Sequence, residues 1–204
     1  MPYRRTDKVE ARLASDRERI LATARRLVTE GGFREAQIAA VAAMAEVGVG
    51  TIYRHFPSKA DLFAEVVSAV SRREVGIVDH IARSRGPAAQ RLADALRTFA
   101  SRAVKSGRLA NALIAEPAEP AVDEARLRYR RDLGRSIAGI LEDGVQAGEL
   151  PRQDVEASAA CVVGALLEGL VGPLAPSGPI GGDGPRQVDA IVAFCVRAVS
   201  GPAA

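Results

Sequence analysis

Apolar residues in this chain recur at helical spacing in segment after segment, and glycine or proline closes almost every one. From Ser15 to Glu30 the positions Ile20, Ala24, Leu27 and Val28 line one helical face, and Gly31-Gly32 stops the segment. Ile38 to Ala45 reads as a short alanine-rich helix. Gly48 and Gly50 punctuate the chain before Val49 to Phe56, about two turns ending at Pro57. Ser58 opens a long helix, and Ser58 with Asp61 forms a capping-box pattern. Leu62, Val66, Val70, Ile77 and Ile81 give that helix one apolar stripe. After Gly86-Pro87, Leu92, Leu96, Phe99 and Ala103 mark a further helix that Gly107 ends.

A shorter helix covers Arg108 to Ala115, and the EPAEPAV stretch from Glu116 reads as a turn. Leu133, Ile137, Ile140, Leu141 and Val145 belong to a long helix closed by Gly148. Asp154 caps a helix apolar almost all round, ending near Gly172. PLAPSGPIGGDGP, residues 173–185, reads as a flexible loop, and a last helix runs from about Arg186 to Val199. No segment carries a convincing strand pattern. The expectation is an all-α chain of about nine helices, layered helix on helix.

Composition removes several function classes. The 204 residues are 48% hydrophobic and 26% charged, an ordinary globular balance. The richest apolar segment, Ala157 to Gly172, is interrupted by Glu168, so no membrane span is expected. The N-terminus MPYRRTDKVEARLASDRERI lacks the apolar core of a signal peptide, which predicts a cytoplasmic protein. Cys161 and Cys195 make no disulfide framework; both sit among Ala, Val and Leu and read as buried, inert thiols. Carboxylate pairs such as Glu142-Asp143 and Glu116-Glu119 come without a Ser/His/Asp or Cys/His set. GGDG near Gly181 follows no strand, and His55 and His80 have no Cys or Asp at ligand spacing. The expectation is a non-enzyme without cofactor or metal.

Charge is unevenly placed. Residues 1–60 hold 11 Lys/Arg against 7 Asp/Glu, a balance of +4, while residues 61–204 hold 17 against 18. The positive excess therefore lies at one end, which points to a polyanion there. The same end holds VGVGTIYRHFPSKADLF, residues 47–63, in a chain only 4% aromatic. Together with the two preceding helices, Val49 to Phe56 makes a helix-turn-helix unit, whose last helix reaches base edges in the major groove. Ile52 and Phe56, four apart, face inward against Ile20, Leu27 and Val41. Thr51, Arg54 and His55 are left on the other side, with Tyr53 at the margin, and Lys59 adds a cation at the next helix start. All can donate hydrogen bonds to phosphate oxygens.

The run GTIYRHFPSKADLF resembles the DNA-binding signature of the TetR (tetracycline repressor) family over about residues 15 to 65. The resemblance implies an all-α homodimer, with a three-helix DNA-binding domain over residues 1–57 and a ligand-binding and dimerisation domain over 58–204. It implies a repressor released from a palindromic, double-stranded operator by a small-molecule effector. By the same resemblance Gly48 and Val49 face bases, Thr51, Tyr53, His55 and Lys59 hold phosphates, and Arg54 reaches either. Phe99 and Tyr129 either line an effector pocket or simply pack a core.

Two positions depart from the family pattern. Glu46 stands where the turn before the recognition helix usually has glycine, which predicts a left-handed backbone there. Gln37 stands where a Thr or Ser usually caps the second helix. The N-terminal arginines, Arg4, Arg5 and Arg12, are then the candidates to supply phosphate contacts instead. These departures keep a second function class open, a helical binding or scaffolding protein without DNA binding. The dimer is expected through a four-helix bundle of the last two helices from each chain. Their apolar residues run wider than one stripe, including Ala160 and Val192, and Ala157, Cys161 and Gly164 permit close approach.

Overall fold

The computed structural model describes residues 7–175 and 184–201. Those residues form α1 (Asp7–Glu35), α2 (Ile38–Met44), α3 (Val49–His55), α4 (Lys59–Ala82), α5 (Ala88–Ser106), α6 (Arg108–Ile114), α7 (Pro120–Gln146), α8 (Val155–Leu174) and α9 (Gly184–Ser200). The all-α expectation holds, with nine helices and no strand among the described residues. Arg4, Arg5 and most of the loop expected over 173–185 lie outside the described residues.

Two apolar clusters organise the bundle. One gathers Ile20, Ala24 and Val28 of α1, Ile38 and Val41 of α2, Ile52 of α3, Phe56 beside it, and Leu62 to Val67 of α4. The other joins the remainder of α4 to α5, α7, α8 and α9 around Leu92, Leu96, Leu133, Ile137, Ile140, Leu141, Leu166 and Leu170. The first cluster does not stop at residue 57. It takes in Leu109, Ala112 and Leu113 of α6 and Val122 and Ala125 of α7. The three N-terminal helices are thus packed directly onto the rest of the chain.

The expected stop at Gly31-Gly32 is borne out: the span given as α1 is two helical stretches joined across a kink. The chain breaks at Gly32 (φ 76, ψ −177) and resumes a helical turn to Glu35. The kink frees two backbone N–H groups, and the Glu116 carboxylate takes them. Phe33 N donates to Oε2 and Arg34 N to Oε1, each at 3.1 Å. A Cβ at Gly32 would lie 2.6 Å from Glu116 Oε2, so glycine suits both the backbone angle and the space. One boundary differs from the sequence pattern: α7 starts at Pro120, inside the stretch expected to be a turn. Proline at the first helical position fits because its missing N–H would have no partner there.

The last two helices correct two further expectations. Cys195 is buried, but Cys161 is exposed. Val188, Val192, Cys195 and Val199 point into their own protomer, with Val192 2% exposed, so Val192 belongs to the fold and not to a free face. The open side of α8 and α9 carries Ala157, Ala160, Cys161, Gly164 and Phe194 instead. By length and composition α8 is long and apolar enough to cross a membrane, with mean hydropathy 1.7; here it packs on α7 and α9.

Removing the Glu116 side chain leaves the Phe33 and Arg34 N–H groups without their acceptor. Glu116→Ala should therefore lower unfolding free energy by roughly 1–3 kcal/mol. Urea denaturation checks this, and an unchanged midpoint would mean that water replaces the carboxylate at no cost.

Candidate nucleic-acid interface

The seven residues of α3 are too few to form a stable helix alone. Two side chains anchor it. Ile52 is fully buried and Phe56, just past the helix end, is 3% exposed, both in the cluster with Ile20 and Val41. Leu27 packs against the same cluster, half-buried. Burial of that size is worth roughly 1.5–3 kcal/mol per side chain. The Arg17 guanidinium lies 5.2 Å above the Phe56 ring and closes it off from solvent.

The turn into α3 is a left-handed helix C-cap. Glu46 N donates to Ala43 O (3.3 Å) and Val47 N to Ala42 O (3.0 Å), and Glu46 takes φ +52. It is the only non-glycine residue with positive φ among the described residues, as its position in the turn predicts. Such a conformation costs a non-glycine residue roughly 1–2 kcal/mol. Arg19 secures the turn from outside. Its Nε donates to Ala45 O at 2.7 Å, and its Nη2 donates to Asp16 at the same distance.

The structure exposes several of the expected contact residues, and Gly48, Thr51 and Arg54 share one concavity. Val49 is 43% and Tyr53 47% exposed, unusual for their size, and Arg54 is exposed beside them. Thr51 and Lys59 are half-buried. Gly48, the N-cap, has φ −71 and ψ 148, and a Cβ at Gly48 or Gly50 would meet nothing within 4 Å. Nothing inside the protein requires glycine at either position, so any requirement comes from what approaches from outside. Arg12, Arg19, Glu46, Gly48, Thr51 and Arg54 line an open concavity of about 620 Å³ between α1 and α3.

Two expected donors are less free than the sequence suggests. His55 turns its Nε2 inward, where it is buried without a hydrogen-bond partner. Burial, with the nearby Arg54 and Arg17 charges and against Asp16, holds its pKa below the ordinary 6.5. Lys59 Nζ donates to Gln37 Oε1 at 3.4 Å and lies 5.6 Å over the Phe63 ring. Gln37 makes no cap on α2; its amide donates to Arg34 O at 2.8 Å. Ser58 does cap α4, with Oγ accepting from Asp61 N (3.1 Å) and donating to the Asp61 carboxylate (2.8 Å).

Phe99 and Tyr129 belong to the other apolar cluster, with ring centroids 6.2 Å apart. They border a cavity of about 40 Å³ with Val70 and Glu74 of α4 and Leu109, Leu113 and Ile114 of α6. Arg102 closes it, donating two hydrogen bonds to Glu74 at 2.6 and 2.7 Å. Burial, and secondarily the Glu74 charge, pushes the Tyr129 hydroxyl far above its ordinary pKa. The contributions of Arg17, Arg19 and Glu116 escaped the sequence pattern, because each acts on a partner distant along the chain.

Residues 20–66 match the family model described as bacterial regulatory proteins of the tetR family. The transcriptional repressor KstR of Rhodococcus jostii is 48% identical over 56 residues, 28% of this chain and 25% of that protein. KstR of Mycolicibacterium smegmatis is 38% identical over 76 residues, 37% of each chain. The matched segments thus span 25% and 37% of these curated relatives. Over nearly the whole fold, the regulator FadR of Bacillus subtilis in complex with stearoyl-CoA superposes with a TM-score of 0.76 at 19% identity. It covers 88% of this chain and 97% of that one. RolR in complex with resorcinol superposes at 0.72 and 21% identity, covering 93% of this chain and 90% of that one.

A depressed His55 pKa means that the unfolded chain binds this proton more readily than the folded one. Stability from this group is present above the ordinary value of 6.5 and is lost as pH falls through it. His55→Gln should flatten the pH dependence of the thermal midpoint between roughly pH 5 and 7.5. An equally steep profile in the variant would assign the slope to other groups.

Proposed function

Because the chain belongs to the TetR family, through residues 20–66, we propose that it is a cytoplasmic, ligand-responsive repressor of transcription. Residues 1–57 bind operator DNA and residues 58–204 hold the effector and form a homodimer. The observation that carries this reading is the α3 face. Val49, Tyr53 and Arg54 stand exposed on a helix that Ile52 and Phe56 fix from behind, within the segment matched to the family. Gly48 lets backbone approach the bases, and Val49 offers a methyl contact to thymine. Thr51, Tyr53 and Lys59 hold phosphates, and Arg54 reaches phosphate or base. His55, whose Nε2 is buried, joins them through its other ring nitrogen or after its ring turns.

Repression ends by a population shift. The effector enters at Phe99 and Tyr129, where the cavity of about 40 Å³ must widen to admit even a small ring. The bound ligands of FadR and RolR, stearoyl-CoA and resorcinol, are acyl and aromatic, in keeping with apolar walls here. α4 and α6 wall that cavity, and both lead to the DNA-binding end. Widening it moves them and changes the spacing of the two recognition helices on a palindrome.

Salt-dependent binding to operator fragments selected from genomic DNA tests the function. Lys59→Ala should weaken binding to all sequences and reduce the salt slope by about one ion. An unchanged slope would remove Lys59 from the contacts, and no salt-dependent binding by the wild type would favour the scaffolding alternative.

The dimer is tested on the open face of α8. Ala160→Glu places a charge there without touching the protomer core. Sedimentation should show wild-type dimers and monomeric Ala160→Glu with far weaker operator affinity. A wild-type monomer at micromolar concentration, with and without DNA, would overturn the two-fold assembly.

A further inference from the structure

Glu46 combines two unfavourable features at one position. Its backbone is held at φ +52, where glycine would carry no strain. Its side chain is exposed on the concavity shared by Gly48, Thr51 and Arg54, the surface proposed to meet a polyanion. A carboxylate beside phosphates is repelled. No compensation comes from within the protein. Arg12, Arg19 and Arg54 border the same concavity, yet Glu46 takes no ion pair and no side-chain hydrogen bond among the described residues. Arg19 is occupied by Asp16 and Ala45 O instead. The turn hydrogen bonds at Glu46 and Val47 use backbone atoms alone and would survive with any side chain.

Strain and like charge retained together, with no internal return, point to a contact outside the chain. A carboxylate can only accept hydrogen bonds, so its partner must donate. Phosphates do not, and neither do the major-groove edges of guanine (O6, N7) or thymine (O4). The exocyclic amino groups of cytosine and adenine do, and cytosine N4 is the usual partner of an acidic side chain. Adenine also shows N7, an acceptor, beside its amino group; cytosine presents the donor alone. We propose that Glu46 is a specificity-determining residue, which selects cytosine at one operator position next to the base faced by Gly48 and Val49 and rejects guanine and thymine there. This inference rests on the proposed DNA-binding function and adds the base that the turn reads.

The test needs the wild-type operator, obtained by selection from random duplexes, and fluorescence anisotropy at fixed salt with each base pair substituted in turn. Wild type should lose roughly 5- to 150-fold in affinity when the cytosine is replaced by guanine or thymine in each half-site. Glu46→Gly, which removes the carboxylate, should bind the guanine and thymine duplexes more tightly than wild type does and show no preference at that position. Glu46→Gln, with both a donor and an acceptor, should bind with weakened discrimination. A Glu46→Gly protein that gains affinity equally on all sequences while keeping the wild-type base preferences would overturn the proposal and leave Glu46 a merely repulsive side chain. Failure of both wild type and Glu46→Gly to bind any duplex in a salt-dependent way would overturn the DNA-binding function itself, a different result from unaltered preferences.

Discussion

One carboxylate and one guanidinium tie the end of α1 to the segment between α6 and α7. Glu116, between α6 and α7, accepts the N–H groups that the Gly32 kink releases at Phe33 and Arg34. Arg126, 9% exposed, fixes the loop that carries Glu116. It donates to Ala112 O (2.5 Å), to Glu116 O (2.6 Å) and to Asp123 (2.8 Å), and its guanidinium lies 5.8 Å from the Phe33 ring centre. A charge this enclosed is tolerated only because carbonyls and a carboxylate surround it. The kink, the loop and the arginine are therefore one unit. Without Glu116 the turn after Gly32 has unpaired donors, and without Arg126 the loop has nothing to hold its carbonyls. Since α2 follows directly from that turn, the placement of the helix-turn-helix depends on residues more than eighty positions away.

This dependence explains what the sequence could and could not tell. Helix identity was legible nearly everywhere, because apolar period, glycine stops and the Ser58–Asp61 cap are local signals. Even the strained turn was legible, since a family position that favours glycine held Glu46. The glycine stop at Gly31-Gly32 was legible too, but the short helical turn after it was not, because the acceptor for its first N–H groups comes from Glu116. The start of α7 was misplaced because Pro120 reads equally as turn or as first helical residue. Periodicity also does not say which side of an apolar helix meets its own chain. Cys161 and Cys195 have the same kind of neighbours in sequence, yet one is exposed and one buried. In the candidate interface, the inward pair Ile52 and Phe56 and the exposed Arg54 followed from helical spacing, but Thr51 and His55, expected beside Arg54, are half-buried, and Tyr53, expected at the margin, is exposed. The inward turn of His55 and the Lys59–Gln37 contact depend on side-chain packing that no local pattern encodes.

The interface separates stability from recognition. Ile52, Phe56 and the Arg17 cover hold α3 in place, while Arg19 holds the turn before it. None of these uses an exposed side chain of α3. The outer positions are thereby released from any structural duty, as the empty space around Gly48 and Gly50 illustrates. Of the cations at this end, Arg17 pairs with Glu65 at 3.5 Å and Arg19 with Asp16, so they position the helix and contribute less free charge than their number suggests. Arg54 and Lys59 remain the side chains best placed to carry charge outward.

The same joint constrains how any signal would reach that face. Leu109, Leu113 and Ile114 of α6 border the Phe99–Tyr129 cavity, and Glu116 follows two residues after α6 ends. On α4, Val70 and Glu74 border it too, while Leu62 to Val67 of the same helix pack against the first three helices. With close-packed walls and only about 40 Å³ free, the cavity cannot accept a ligand without displacing one of them. Displacing α4 alone would shear its N-terminal half against α6, since both belong to one apolar cluster. Displacing α6 alone would pull Glu116 from the Phe33 and Arg34 amides. A concerted movement of α4, α6 and the three N-terminal helices breaks neither contact. Such a movement would carry α3 with it.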